Sequence, residues 1–191
     1  MITETYVEEM SRQADEIMGH WFKDHKAALN QYGEIVVLNW QEPGTGIFMV
    51  RYVCDRNNMY VSGDLGEAVF RFTEKAIPER IARYDLGYFC EKLRAFCDPI
   101  RDFNRLKAKE YVDEVLREHN EDGYEYDKSA FDELLGIIGD CESMEAYHAA
   151  LFSFDYYRLG SDSWEWVSEI GSAIPMRLQS YLLGLKMAMS K

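Results

Sequence analysis

The sequence predicts an α+β fold, a small three- to four-stranded antiparallel meander packed with several α-helices. Two observations carry this expectation. Between Ile35 and Phe72, short β-branched and aromatic runs alternate with turn residues, the pattern of short strands joined tightly. On both sides of that stretch, apolar residues recur instead at helical spacing. The 191 residues, 47% hydrophobic and 14% aromatic, suffice for one well-buried domain. Within that single domain, 1–191, residues 1–75 read as a helix plus the sheet, and 76–191 as mainly helical.

The elements follow in order. Val7, Met10, Ala14, Ile17, Trp21 and Ala28 recur at steps of three, four and seven, which predicts an amphipathic helix over 3–30. Thr3 or Thr5 is placed to cap it, and Gly33 to end the segment. Strands are expected at Ile35–Trp40, Ile47–Cys54, Met59–Ser62 and Ala68–Phe72, with turns at 41–46 and 55–58. Phe48, Val50, Tyr52 and Cys54 share one face, suited to packing against the first helix. Leu86, Phe89, Cys90, Leu93, Phe96 and Cys97 form a further helical stripe that Pro99 closes. A helix from Leu106 to His119 puts Ala108, Val112, Val115, Leu116 and His119 on one face. Asp127 and Ser143 are N-cap residues of two more, the first with Gly139 beyond its end, and Pro175 opens the last, through Leu178, Leu182 and Leu185.

Charge is the most uneven property of the chain. The net charge is −13, and between Asp102 and Glu145 fourteen Asp and Glu face five Lys and Arg. Such a field repels free nucleic acid and favours basic partners. At about 100° per residue, Glu110, Glu114, Glu118 and Glu121 fall in one sector of their helix, with Val112, Val115 and Leu116 opposite. Arg117 interrupts the acidic sector; Asp113, Asp122, Glu125 and Asp127 extend the charge around and beyond it. A solvated, solubilising face is the plain explanation. The functional one is a surface that competes for a basic groove by imitating phosphate spacing, with Glu110, Asp113, Glu114, Glu118, Glu121, Asp122 and Glu125 as its contacts. Trp164 and Trp166, near Tyr156 and Tyr157, join that candidate surface as aromatic anchors or else hold the last helix to the core.

Other motifs carry less. Ser62-Gly63-Asp64-Leu65-Gly66-Glu67 puts two carboxylates into a tight turn, so Asp64 and Glu67 are the compact candidates for acid–base or cation chemistry. A strand-ending turn in which Asp64 bonds backbone explains the motif equally well. His20 and His25 are five apart on the expected first helix, which misses the i, i+4 spacing of a helical metal pair. His119 suits a helix C-terminus, and His148, on an apolar stripe, reads as a core histidine with its bonds satisfied. Cys54, Cys90, Cys97 and Cys141 form no C-x-x-C pair, which fits reduced thiols in a cytosol. No cofactor, metal, signal peptide or membrane span is expected.

Three stretches together resemble a known group: Val36-Val37-Leu38-Asn39-Trp40 with Pro43-Gly44-Thr45-Gly46, Tyr60 to Phe70, and Tyr181-Leu182-Leu183-Gly184-Leu185-Lys186-Met187-Ala188. They are similar to small acidic proteins of phages and mobile elements of Gram-positive bacteria, a group that includes type II anti-CRISPR proteins. The resemblance implies a host-cytoplasmic, protein-binding inhibitor whose partner is a basic nucleic-acid-binding protein, namely a type II Cas nuclease or its guide-RNA complex. Such a nuclease holds guide and target in positively charged channels, which an acidic nucleic-acid mimic would fit. The alternatives are a metal-dependent nuclease or hydrolase acting on guide RNA through Asp64 and Glu67, and a mobile-element accessory protein with no anti-defence role.

Overall fold

The computed structural model describes residues 4–190. The chain is α+β and its contacts gather into two compact units that interleave in sequence. One, the sheet unit, is Met10–Ile100 with the segment from Ile174 onward. The other, the helical unit, is the stretch through Glu9 with Arg101–Ala173. The boundary drawn at residue 75 therefore falls inside the sheet unit.

In the sheet unit a six-stranded meander runs β1 (Lys26–Tyr32), β2 (Ile35–Gln41), β3 (Val50–Asp55), β4 (Asn58–Gly63), β5 (Ala68–Arg71) and β6 (Leu93–Phe96). Each strand is antiparallel to the next. The expected three or four strands undercount this sheet by its two edges. At the first edge, helix α1 (Tyr6–Glu16) gives way to a π-helical turn, Ile17–Trp21, and then to β1 rather than continuing through Ala28. Residues 26–32 favour helix locally, but they pair one for one with β2 from Lys26–Gln41 to Tyr32–Ile35, and cross-strand pairing overrides propensity. Gly33, at φ +62°, makes the hairpin turn instead of ending a helix. At the other edge the expected stripe over 86–97 splits. Helix α3 (Leu86–Glu91) stops, and Leu93–Phe96 bonds to β5 with a bulge between Val69 and Phe70.

The inward face of β3 holds Val50, Tyr52 and Cys54, all buried as their alternation predicts. Phe48 departs from it. It precedes the strand at φ +53° and stacks on Trp21 at 5.0 Å. The helix bonded to this face is α7 (Met176–Met189), opened by Pro175, rather than the first helix. Tyr52 donates its hydroxyl to the Tyr181 carbonyl at 2.8 Å, and Tyr181 donates to Leu65 at 2.7 Å. Gly184 permits the approach: a Cβ there would lie 2.6 Å from the Tyr52 hydroxyl. Ile17, Phe22, Trp40, Phe70 and Phe89 join Leu178, Leu182 and Leu185 in the same buried cluster, beside the short helix α2 (Pro78–Ile81).

The helical unit packs α4 (Arg105–Asp122), α5 (Lys128–Asp140) and α6 (Met144–Leu151) around Val112, Phe131, Leu134, Ile138 and Tyr147. A two-stranded ladder, β7 (Asp102–Phe103) with β8 (Ser172–Ala173), completes it. The N-caps are side chains, as their residue types require. Asn104, Asp127 and Ser143 accept from the backbone N–H groups of Lys107, Ala130 and Ala146. Thr5 and Glu8 form a reciprocal capping box at the start of α1, whereas Thr3 lies outside the described residues. Gly139 sits within α5, not past its end. No helix among the described residues is long and apolar enough to cross a membrane.

Candidate partner-binding surface

Dividing the charge between the units shows where the acidity resides. The helical unit carries twenty-one Asp and Glu against seven Lys and Arg, a net −14. The sheet unit carries thirteen against fourteen, a net +1. The whole excess therefore belongs to one compact unit, in which apolar side chains fill the interior and carboxylates take the outside.

Helix α4 sets the spacing of that surface. Ala108 and Val112 are buried, Val115 and Leu116 half-buried, and Glu110, Asp113, Glu114, Glu118, Glu121 and Asp122 exposed, as is Glu125 beyond the helix. Glu110 is not free. It accepts the Tyr6 backbone N–H at 2.7 Å, next to the capping box of α1. Arg117 reaches Glu114 at 3.5 Å, a loose i, i+3 pair on an exposed face that contributes little.

Among the described residues, three grooves of the helical unit contain candidate residues. The first, of about 470 Å³, brings Glu110 and Glu114 together with Glu165, Glu169 and the Tyr111–Trp166 ring pair, whose centroids are 5.4 Å apart. Burial, followed by the charges of Glu118, Glu114 and Asp162, raises the Tyr111 hydroxyl above its ordinary pKa. The second, of about 870 Å³, gathers Glu118, Asp122, Glu125, Asp127 and Asp162 beside Tyr124 and Tyr157. Arg158 is the cation in its lining, and it is held by Asp127 and Glu133, each at 2.9 Å. The Arg158 bond to Asp127, with the Ala130 N–H at the helix start, lowers the Asp127 carboxyl. The third groove, of about 660 Å³, is mostly apolar and contains Trp164 and Phe152.

The structure thus distributes the candidate residues. Glu110, Glu114 and Trp166 share one groove, and Glu118, Asp122 and Glu125 another; Trp164 lies in the third, while Asp113 and Glu121 are exposed on α4. Trp164 is exposed, and Trp166 is half-buried against the core of the helical unit. Tyr111, Phe152, Asp162, Glu165 and Glu169 escaped the reading of the sequence. Tyr111 is on α4, whereas the others come from the end of α6 and the turns around the 3₁₀ segment Ser163–Glu165, where no period marks a face. The interleaving of aromatic and acidic residues over 152–169 was the available signal.

Asp64 and Glu67 sit elsewhere, at the end of β4. Asp64 accepts the Phe48 N–H at 2.7 Å and its own N–H donates to Met49 at 3.0 Å. Gly63, at φ +142°, leaves no room for a Cβ, which would fall 2.2 Å from the Met49 carbonyl oxygen. Glu67 is exposed, and its backbone exchanges bonds with Cys97. The motif therefore ties a turn to its neighbours. Among the described residues no group of three or more His, Cys, Asp and Glu is placed to hold a metal ion. His148 is corrected from core to surface. It is exposed on α6 and bonded through Nε2 to the Ser168 carbonyl at 2.9 Å. The buried histidine is His25, 3% exposed, which follows the π-helical turn and bonds the Phe48 carbonyl at 3.2 Å.

Fold and surface together define an α+β protein with an acidic, aromatic-lined face on one of its two units. No protein-family model, curated protein or solved structure matches the chain.

Proposed function

We propose that the chain is a phage- or mobile-element-encoded inhibitor that binds a basic, nucleic-acid-binding protein, and that this partner is an RNA-guided type II Cas nuclease. The acidic unit would occupy a channel built for guide or target nucleic acid and block its engagement. One observation carries the reading: the net −14 is confined to the helical unit, while the sheet unit is close to neutral. A charge kept only for solubility has no need of such segregation. Electrostatic complementarity of this kind speeds encounter and selects partners. The resemblance of the Val36–Gly46, Tyr60–Phe70 and Tyr181–Ala188 stretches supports the choice of a Cas nuclease among basic proteins. The test is to mix the purified chain with a type II Cas nuclease, with and without guide RNA, in each order of addition and at rising salt. A salt-sensitive complex that lowers cleavage is expected. No complex and unchanged cleavage in every order of addition refutes the proposal.

A further inference from the structure

Two exposed aromatic side chains of the helical unit, Phe152 and Trp164, meet in the third groove. Phe152, just past α6, is 94% exposed, and Trp164 is 57% exposed. Leu151, Phe154, Tyr156 and Val167 supply the floor and walls. An aromatic ring left almost wholly in water gains nothing for folding, and apolar patches of this kind mark contact surfaces.

The surroundings decide what covers it. Glu169 lines both this groove and the Glu110–Glu114–Trp166 groove, so the two adjoin. Tyr156 also meets Tyr157, their tilted rings 4.8 Å apart, and Tyr157 lines the groove of Glu118, Asp122 and Asp162. The apolar slot is therefore flanked by two acidic grooves, and its own lining contains no Lys or Arg. A second copy of the chain would set another helical unit of net −14 against the first. An anionic membrane is disfavoured by the same repulsion. What complements an apolar slot between acidic flanks is a segment with an apolar stripe bordered by Lys and Arg.

We propose that the Phe152–Trp164 groove is the docking site for a basic amphipathic helix of a protein partner. The apolar stripe of that helix packs on the two rings, in the helix-in-groove mode, and its cations face the carboxylates on either side. The aromatic slot supplies most of the affinity and the carboxylates supply encounter and orientation. This deepens the proposed function by giving the acidic face an anchor, and it rests on that reading only in taking the partner to be a basic protein.

The test uses the full chain and a synthetic amphipathic helical peptide of Leu and Lys, followed by Trp emission. Three comparison probes accompany it: a Leu/Glu peptide of equal hydrophobicity, a Gly/Lys peptide of equal charge, and phosphatidylcholine vesicles. The Leu/Lys peptide is expected to bind and shift the emission to the blue, and Trp164→Phe is expected to remove the shift. Phe152→Ser, at a site too exposed to disturb folding, is expected to weaken binding at least about tenfold, and the Gly/Lys peptide is expected to ignore it. Several results overturn the proposal: an affinity unchanged in Phe152→Ser, equal binding of the Leu/Glu peptide, binding to the vesicles, or dimerisation of the free chain that Phe152→Ser abolishes. No nuclease takes part, so failure here leaves the Cas reading standing, and loss of nuclease inhibition with intact peptide binding removes only that reading.

Discussion

Gly184→Ala tests how α7 is seated on the sheet. In an open helix this change stabilises by about 1 kcal/mol, because Ala is the better helix former. Here the added Cβ would lie 2.6 Å from the Tyr52 hydroxyl, 3.2 Å from Trp40 and 3.3 Å from Phe22. Tyr52 cannot retreat easily, being fully buried and bonded to Tyr181. Overpacking a filled core costs about 1–3 kcal/mol, and a strained Tyr52 hydrogen bond adds about 1 kcal/mol. The clash outweighs the propensity, for a net loss of about 1–3 kcal/mol. In a chain of this size each kcal/mol moves Tm by about 2–4 °C, so a fall of several degrees is expected in thermal unfolding followed by near-ultraviolet circular dichroism. The partner variant Tyr52→Phe removes the clashing oxygen. In that background Gly184→Ala is expected to cost less, a non-additivity of about 1 kcal/mol. A rise in Tm for Gly184→Ala alone, or an equal cost in both backgrounds, refutes the close approach of helix and strand.

Further outcomes are expected elsewhere. Burial holds the His25 pKa below its ordinary value against the opposing Phe48 carbonyl bond and the charges of Glu42 and Asp24. The unfolded chain therefore takes up the His25 proton first, so stability present above about pH 6.5 declines as the solution is acidified towards the lower folded value. Melting curves across that range should show the decline, and His25→Gln should flatten it. Asp64→Ala should cost about 1 kcal/mol by freeing the Phe48 N–H, whereas Glu67→Ala should stay within about 0.5 kcal/mol, both read from urea midpoints. Ser143→Ala removes the N-cap of α6 and should cost about 1 kcal/mol, with Asp as the rescuing replacement.

Where local chemistry decides, the fold was legible. Asp127, Ser143 and Pro175 announced their helices because a cap needs only its own three or four neighbours. β2 to β5 showed through alternation and their turns. The edge strands did not. Every residue of β1 is exposed, so no alternation marks it, and Ala27 and Ala28 continue a helical stripe until pairing with β2 settles the matter. β6 is likewise made by β5, across more than twenty residues of sequence. The candidate surface divides the same way. Periodicity placed the carboxylates of α4 outside and Val112 inside, but Phe152, Trp164 and Glu169 reach their grooves through irregular turns that only the tertiary structure sets.

The role of the acidic unit is tested most directly by its rate of association with a type II Cas nuclease. The chain would be compared with its Glu114→Gln, Glu118→Gln, Asp122→Asn variant over a series of salt concentrations. These three carboxylates are exposed, so the fold should persist. Steering over a screening length of about 8 Å at physiological ionic strength predicts that the chain associates fast at low salt and slows steeply as salt rises. The variant should be about tenfold slower at low salt and less sensitive to it. Equal rates for the two proteins at every salt concentration, or no association by either, would contradict a partner-binding role for this face.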